Sequence, residues 1–417
     1  MDNITFAKER KIVRELAAKY YNIARSGENL EKARLYRAVN DRKMIRPVVL
    51  VDEIPWYELN IDGCLDCFCE EPELRWLESC FRGWLARHKY FGGDFYLNPV
   101  FLVTKHVWFS ELGVETEEKI VKTNEKNYIM AHQYFDKLQT EEDLEKLKFQ
   151  TVNYDEVKTK KQFEFVADII GDIIPVKLTG LSCDYGLGHG LWDLVSRLRG
   201  VENLLADLAE RPEFMHKTAR KLTDIHIDKL RQIEEKGLLG IEQPHIHCTP
   251  AITSDLENPE DYDNIKMKNI WGRAVAQIFG SVSKAMHDEF DITYAAEVMK
   301  PFGMVYYGCC EPLDNKIDIL KKMKNLRKIS ITPWADINKA AEIIGKDYVV
   351  AAKPNPANVS TGFDENVIRK ELKEIVDAVK KNGCSCDIVL KDISTVAGKP
   401  EHLLKWVQIA METVNNY

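Results

Sequence analysis

Short β-rich runs alternate with helical patterns through the second half of this chain, and this alternation limits the choice of fold more than any other feature. The four runs lie at 303–307, 327–331, 347–352 and 387–390. Helical patterns fill the intervals at 315–326, 337–345 and 364–383. Because apolar strands that alternate with helices build a parallel sheet with helices on its faces, the pattern predicts an α/β fold.

Four further runs in the first half bring the number of predicted strands to eight. They lie at 46–51, 97–103, 173–178 and 238–241. The second run is the weakest, because Pro99 fits poorly in a central strand. Eight strands that alternate with helices predict a (β/α)8 barrel of the TIM type. An open doubly wound sheet is the alternative, and it is less favoured because no glycine-rich phosphate loop follows the early strands.

The segments outside this pattern predict two additions to one barrel domain. Residues 1–45 are expected to form an N-terminal helical extension, and the barrel spans 46–417. A charged insertion lies at about 104–165. Within it, the sequence at 140–143 is similar to a capping box and predicts the start of a helix.

The charge and the cysteine content limit the partners and the compartment. A formal net charge of −8 argues against a nucleic-acid partner, because such proteins concentrate lysine and arginine. The N-terminus is charged and amphipathic, unlike a signal peptide, and no run approaches eighteen apolar residues, so no membrane span is expected. These features predict a cytoplasmic protein whose ten cysteines are reduced and free for metal binding or nucleophilic work. A homodimer is left open.

Cysteine, histidine and glutamate residues concentrate where two predicted strands end. The candidate metal ligands are Glu242, His247, Cys248, Cys309 and Cys310. Zinc commonly takes three protein ligands of these types and keeps a fourth position for substrate. The alternative is that the adjacent cysteines are buried as small apolar side chains. A second group of cysteines at 64–69 lacks the further pair of a structural zinc site, and structural or incidental thiols are the favoured interpretation there.

Acidic and aromatic residues after the strands are candidates for catalysis and substrate binding. Asp52 and Glu53 could act as general acid and base or hold a cationic substrate, and a turn ahead of Pro55 explains them equally well. Tyr307 is a candidate general acid. The candidates for substrate binding are Trp56, Asp184, Trp334, Lys353 and Asn355. Core packing is the alternative for an isolated tryptophan.

Four segments together carry a resemblance to a known family. They are SKAMHDEF at 283–290, VYYGCCE at 305–311, ITPW at 331–334 and AKPNP at 352–356. The chain resembles the uroporphyrinogen decarboxylase superfamily, which includes cobalamin-dependent methyltransferases, over roughly residues 40–417. The resemblance is strongest from Trp271 onward and implies the barrel fold.

The chain departs from both branches of that superfamily. Its methyltransferase members hold zinc with a His-x-Cys pair at the end of the equivalent strand and with a later cysteine. Cys309 matches the cysteine of the pair, but Tyr307 occupies the histidine position, and the later position within 351–354 has no cysteine. In true uroporphyrinogen decarboxylases an Arg-rich segment pairs with substrate carboxylates, whereas residues 52–58 here are acidic, which disfavours a porphyrinogen substrate.

The resemblance therefore implies a methyltransferase, or demethylase component, that acts on a small methylated compound. An aryl methyl ether is the preferred substrate class and methylamines are second. Zinc would act as a Lewis acid, and the methyl group would pass to a corrinoid (cobalamin-type) cofactor carried by a separate protein. The alternatives are a decarboxylase of a small carboxylic acid, which needs no metal, and a non-catalytic binder of a corrinoid or tetrapyrrole.

Overall fold

Six parallel strands form the main sheet of the protein. The structure, a computed structural model, describes residues 3–121, 130–183, 187–241, 244–256, 264–360 and 362–417. The strands of this part are β1 (Val48–Val51), β2 (Phe101–Thr104), β3 (Val107–Phe109), β4 (Glu118–Val121), β5 (Ala131–Tyr134), β6 (Val152–Tyr154), β7 (Val176–Thr179), β8 (His245–Ile246), β9 (Thr249–Pro250), β10 (Trp271–Ala274), β11 (Met304–Tyr307), β12 (Leu326–Ile331), β13 (Val349–Ala352) and β14 (Ser385–Leu390). The α-helices are α1 (Asn3–Ala24), α2 (Gly27–Asn40), α3 (Pro72–Phe91), α4 (Glu141–Glu145), α5 (Glu156–Ile170), α6 (Leu191–Arg199), α7 (Val201–Glu210), α8 (Pro212–Glu235), α9 (Lys284–His287), α10 (Thr293–Met299), α11 (Ile317–Leu320), α12 (Ile337–Ile344), α13 (Ala357–Ser360), α14 (Glu365–Asn382) and α15 (Glu401–Asn415).

The main sheet has the order β1-β14-β13-β12-β11-β10, and each neighbouring pair is parallel. A second parallel pair joins β2 to β7. Single bridges connect Leu181 with Leu239 and His189 with Ala274. Among the described residues these ladders do not join into a closed barrel. The predicted α/β class with a parallel sheet is confirmed, and closure of an eight-stranded barrel stays a prediction.

The helix ends in the second half follow from local capping. The Asp364 side chain accepts hydrogen bonds from the first backbone N–H groups of α14, and Gly383 ends that helix with φ of 65° in the left-handed region. Asp336 caps the start of α12 in the same way. In the insertion, Thr140 and Asp143 form a reciprocal capping box at α4, as predicted.

Two strand predictions differ from the structure. The run at 238–241 is a single bridge at Leu239 rather than a named strand. The edge strand β10 was not predicted, because its four residues include Gly272 and Arg273 and show neither an apolar run nor alternation. An added Cβ at Gly272 would lie 2.8 Å from Met299 Sδ, so helix α10 packs directly on this backbone.

A charged pair crosses the concave face of the sheet between two strands that are not neighbours. Lys328 on β12 and Asp387 on β14 form an ion pair of 2.8 Å, and both side chains are 0% exposed. The Lys328 ammonium also donates to Thr249 Oγ1 and to the Pro250 carbonyl. Lys328 and Asp387 therefore project from the same face of the sheet, across the intervening strand β13.

The N-terminal helices and the insertion surround this sheet. Helix α1 packs on α3 and α5, and α2 packs on β1 and β14. The Asn40 amide of α2 donates to the carbonyls of Pro250 and Ile252, at 3.0 and 2.9 Å. The segment after β2 forms the antiparallel pairs β3–β6 and β4–β5. These contacts do not fix domain borders, so the division at residue 45 stays a prediction.

The long helices are amphipathic. Helix α8, for example, buries Phe214, Leu222 and Ile233 and carries charged residues on its other faces. Within the described ranges no helix is both long enough and apolar enough to span a bilayer.

The buried histidine His189 should make the protein less stable in mild acid. Its side chain is 3% exposed, and burial, with Lys229 in the same direction and Asp291 opposing, lowers its pKa to about 4. The unfolded chain, with a histidine pKa of about 6.5, then binds a proton that the native state does not. The free energy of unfolding should fall by up to about 3 kcal/mol from this residue as pH drops from about 6.5 to 4. Urea titrations of wild type and His189→Gln across this range measure it, with pH 7.5 as the reference. Parallel pH profiles of the two proteins would contradict the assignment.

Candidate metal centre

Loops that follow three strands of the main sheet meet the β8–β9 turn at the carboxyl edge of that sheet. Glu53 follows β1, Cys309 follows β11 and Lys391 follows β14. His247 and Cys248 occupy the turn between β8 and β9. Because parallel strands place their carboxyl ends at one edge, Glu53, Cys309 and Lys391 are brought together from distant parts of the chain. The separate antiparallel pair β8–β9 adds His247 and Cys248 to them.

Five potential metal ligands form what we name the Cys–His cluster: Glu53, His247, Cys248, Cys309 and Cys310. The ligand atoms of Glu53, His247 and Cys248 all lie within 4.8 Å of one another. His247 Nε2 lies 3.1 Å from Cys309 Sγ. Cys309 Sγ lies 3.5 Å from Cys310 Sγ. A carboxylate, an imidazole and thiols therefore surround one small volume.

The backbone of this cluster is held in an uncommon conformation. Positive φ angles occur at Glu53 (46°), His247 (36°), Cys248 (68°) and Asp392 (58°). Residues other than glycine rarely adopt this region, and each instance costs of the order of 1–3 kcal/mol. Four such residues in neighbouring loops indicate that the fold stabilises this arrangement for a functional reason.

Gly308 makes the turn that presents Cys309. Its φ is 100°, and an added Cβ would lie 2.8 Å from the Leu313 side chain. The Cys309 N–H donates to Glu311 Oε2 at 3.0 Å, and the Ser330 hydroxyl donates to the Cys309 carbonyl. The position of the Cys309 thiol is therefore fixed by its backbone on both sides.

A buried lysine organises the acidic groups of the cluster. The Lys391 ammonium lies 2.8 Å from Glu53 Oε2, 3.0 Å from Asp392 and 3.5 Å from Cys309 Sγ. Burial raises the pKa of Glu53, and its hydrogen bond with Asp392 raises it further, against the opposing effect of Lys391. The two carboxyl groups therefore share one cation and compete for the charged state.

The thiols differ in their tendency to ionise. The hydrogen bond from Cys310 lowers the pKa of Cys309, with the charges of Lys391 and Arg273 acting in the same direction against burial. Burial raises the pKa of Cys248 well above its usual value. For Cys310 the pKa is raised by the hydrogen bond that it makes to Cys309 and by burial. Cys309 is therefore the thiol that most readily becomes a thiolate.

The donor set fits a zinc ion. Burial lowers the pKa of His247, which keeps the imidazole in the neutral form that binds metals. Glu53, Cys248 and Cys309 supply oxygen and sulfur atoms of the type found in zinc sites. Burial is the main cause that raises the pKa of both Glu53 and Cys248, and the neighbouring acidic groups act in the same direction. A divalent cation would reverse these shifts by stabilising the deprotonated ligands.

Several predicted site residues make contacts within the fold, and their roles at the site stay predictions. The Asp52 carboxylate pairs with Arg87 at 3.1 Å and accepts from the Glu53 N–H. Trp56 packs edge to face on Phe91. Asn355 caps the short helix α13 by accepting from the Ala357 N–H. Trp334, in contrast, is 69% exposed after β12.

The two tyrosines at the end of β11 point to opposite faces of the sheet. The Tyr307 hydroxyl contacts His287 and Asp291 at 2.7 Å each, on the side of the helices. The Tyr306 ring faces the interior, 6.5 Å from the His247 ring and 6.0 Å from the buried Lys353 ammonium. The structure therefore brings Lys353 to the interior and does not bring Tyr307 to the Cys–His cluster.

Sequence reasoning missed some functional candidates. Two residues that it did predict lie outside the described residues. Lys391 and Asp392 directly follow the predicted strand at 387–390, and this position indicates a site residue. The sequence did not assign a role to either of them. Arg273 was missed with its strand. The predicted ligand Glu242 and the predicted substrate residue Asp184 fall outside the part of the chain that the structure describes.

Comparison with known proteins gives little further information. No family model matches the chain, and no curated protein sequence matches it. Among solved structures, a methyltransferase from Methanosarcina mazei is similar, with a TM-score of 0.48 and 13% sequence identity. The alignment covers 92% of this chain and 97% of that one. A likeness at this level indicates neither a shared fold nor a shared activity by itself.

Proposed function

We propose that this chain is a zinc-dependent methyltransferase of the cytoplasm, a demethylase component that moves a methyl group from a small methylated compound to a corrinoid. The observation that carries the proposal is the Cys–His cluster, with its zinc-type ligands at the carboxyl edge of a parallel sheet. The proposal includes a closed (β/α)8 barrel, to which β1 and β10 to β14 contribute six strands. An aryl methyl ether is the first substrate class and methylamines are the second.

The cluster residues have separate roles in this proposal. Glu53, His247 and Cys248 would hold the zinc together with Cys309. When bound, zinc supplies Lewis-acid polarisation of the substrate oxygen or nitrogen. Lys391 keeps Glu53 and the Cys309 thiol in place through its contacts of 2.8 and 3.5 Å.

Lys391, rather than Tyr307, is the general acid in this proposal. Tyr307 is hydrogen-bonded on the helix side, and burial raises its pKa well above the usual value. The Lys391 ammonium lies inside the cluster and can donate a hydrogen bond to the departing heteroatom. The Tyr307 hydroxyl then has a structural role between β11 and the π-helical turn at Asp288–Ile292.

The methyl acceptor is proposed to arrive on a separate corrinoid protein. Trp334 follows β12 and is 69% exposed, so its indole is available to contact a flat macrocycle at the carboxyl edge of the sheet. The site would then be reached by the small methylated substrate and by the corrinoid from the same edge.

A spectroscopic assay tests the reaction. Zinc-replete protein is mixed with cob(I)alamin and either an aryl methyl ether or a methylamine, and the visible spectrum is followed. Conversion to the methylcobalamin spectrum with one of these donors is expected. Release of carbon dioxide from a small acid without methylcobalamin would favour the decarboxylase, and corrinoid binding without either reaction would favour the non-catalytic binder.

A further inference from the structure

A cavity of about 380 Å³ lies beside the Cys–His cluster and is lined by three cationic side chains. Arg197 comes from α6, Lys229 from α8 and Arg273 from β10. Arg273 connects the cavity with the cluster, because it pairs in register with Tyr306 of β11, whose ring centre lies 6.5 Å from that of His247. The volume is typical of a pocket for a small molecule.

The positive charge of this cavity is not neutralised by the residues that the structure describes. None of Arg197, Lys229 and Arg273 has a carboxylate within 4.0 Å in the described ranges. Asp193 is the acidic residue of the lining, and its carboxylate accepts from the backbone and side-chain N–H groups of Gln277. Arg197 is exposed, whereas Lys229 and Arg273 are half-buried, and because partly desolvated cations without partners are costly, the pocket favours an anion.

Buried nitrogen atoms without partners lie around the same pocket. Arg273 Nε, His189 Nε2 and His226 Nε2 are buried and make no hydrogen bond with the described residues. His189 is 3% exposed and lines the cavity, with its ring centre 5.4 Å from that of His226. Because buried polar atoms are normally hydrogen-bonded and the Arg273 Nε–H can only donate, this atom marks the position of a missing acceptor, whereas each neutral imidazole can donate from only one of its two nitrogens.

The rest of the lining is apolar. Leu191, Leu194, Leu222 and Val275 complete the wall. A ligand that matches both the cationic and the apolar lining has an apolar body and one anionic end. A carboxylate suits the anionic end, because its two oxygens match the paired N–H groups of an arginine.

We propose that this pocket binds the carboxylate of a small organic acid, and, resting on the proposed function, that the methyl donor is a methylated compound carrying that carboxylate. In this arrangement Arg273 lies between the cavity and the Cys–His cluster. Its guanidinium pairs with the carboxylate of the ligand, and its charge also acts on the Cys309 thiol. The donor is then oriented with its anionic end in the pocket and its methyl-bearing end toward the Cys–His cluster.

Binding measurements test the pocket separately from the chemistry. Calorimetric titration of zinc-free wild-type protein with 4-methoxybenzoate should show binding, and the uncharged 4-methoxybenzamide should bind about 10- to 100-fold more weakly. Arg273→Gln should weaken benzoate binding by a similar factor. Lys229→Gln is the second variant should Arg273→Gln fail to fold, and Lys221→Gln, on the same helix but outside the lining, should have no effect.

The outcomes separate the two proposals. Equal binding of the acid and the amide, or full benzoate affinity in both folded variants, would overturn the pocket. Displacement of benzoate by inorganic phosphate and by acetate is also compared. If phosphate displaces benzoate at the lower concentration, a phosphate site is favoured and the carboxylate assignment is overturned. Selective benzoate binding without any methyl transfer supports the pocket and counts against the proposed function alone.

Discussion

Asp387→Asn should destabilise the protein by about 3–5 kcal/mol, because it leaves a buried ammonium without its counter-charge. Lys328 and Asp387 are both 0% exposed and lie 2.8 Å apart. Thr249 contacts both, since its hydroxyl donates to Asp387 and accepts from Lys328. Burial lowers the pKa of Lys328 and Asp387 opposes this, so without Asp387 the unfolded chain binds the lysine proton more readily than the native state does, and the free energy of unfolding of the variant should fall as the pH is lowered.

Urea denaturation with matched variants measures this effect. Asp377→Asn is the control, because Asp377 pairs with Lys373 on the exposed face of α14 and should contribute less than about 1 kcal/mol. The double variant Lys328→Met/Asp387→Leu should recover most of the loss, since apolar residues of similar size remove both buried charges. A loss in Asp387→Asn no larger than in Asp377→Asn would show that the interior is hydrated and the pair is not buried.

His247→Asn should lower the rate of methyl transfer to cob(I)alamin by about 1,000-fold or more, because Lewis-acid polarisation supplies several kcal/mol to such reactions. His247 is central to the Cys–His cluster, within 4.8 Å of the Glu53 and Cys248 ligand atoms and 3.1 Å from Cys309 Sγ. Asparagine is chosen because His247 has a φ of 36°, and asparagine tolerates that region while removing the imidazole.

The matched control for this experiment is His132→Asn. His132 lies in the exposed strand β5, pairs with Glu118 and is not a member of the Cys–His cluster. Its replacement should leave the rate unchanged. An unchanged rate in folded His247→Asn would remove the imidazole from the mechanism, whereas an equal loss in both variants would indicate a general effect on the protein.

Local sequence determines those parts of the fold that were predicted. The caps Asp336, Asp364 and Gly383 act within a few residues of their own position, so they could be recognised without knowledge of the tertiary structure. The same holds for the four strands of the second half, β11 to β14, which were predicted from short β-rich runs between helical patterns. β10 could not be found in this way, because Gly272 is explained by its packing against Met299 and not by its neighbours in sequence.

The candidate site was predicted in part for a similar reason. Parallel strands gather their carboxyl ends, so Cys309, His247 and Glu53 could be placed at one edge from sequence alone. The face of the sheet to which Tyr306 and Tyr307 each point could not be predicted, because two adjacent tyrosines are compatible with either orientation of the strand. The contacts of Lys391 with Glu53 and Cys309 join β14 to β1 and β11, and only the folded chain reveals them.

The zinc content of purified protein tests the central claim most directly. Wild type that is purified with zinc should hold about one ion per chain, as measured by elemental analysis, and X-ray absorption should show mixed sulfur and nitrogen or oxygen ligands. His247→Asn should lose the ion, and Cys67→Ser, outside the cluster, should retain it. Wild type without zinc, or full retention of zinc by His247→Asn, would contradict the assignment of this cluster as a metal centre.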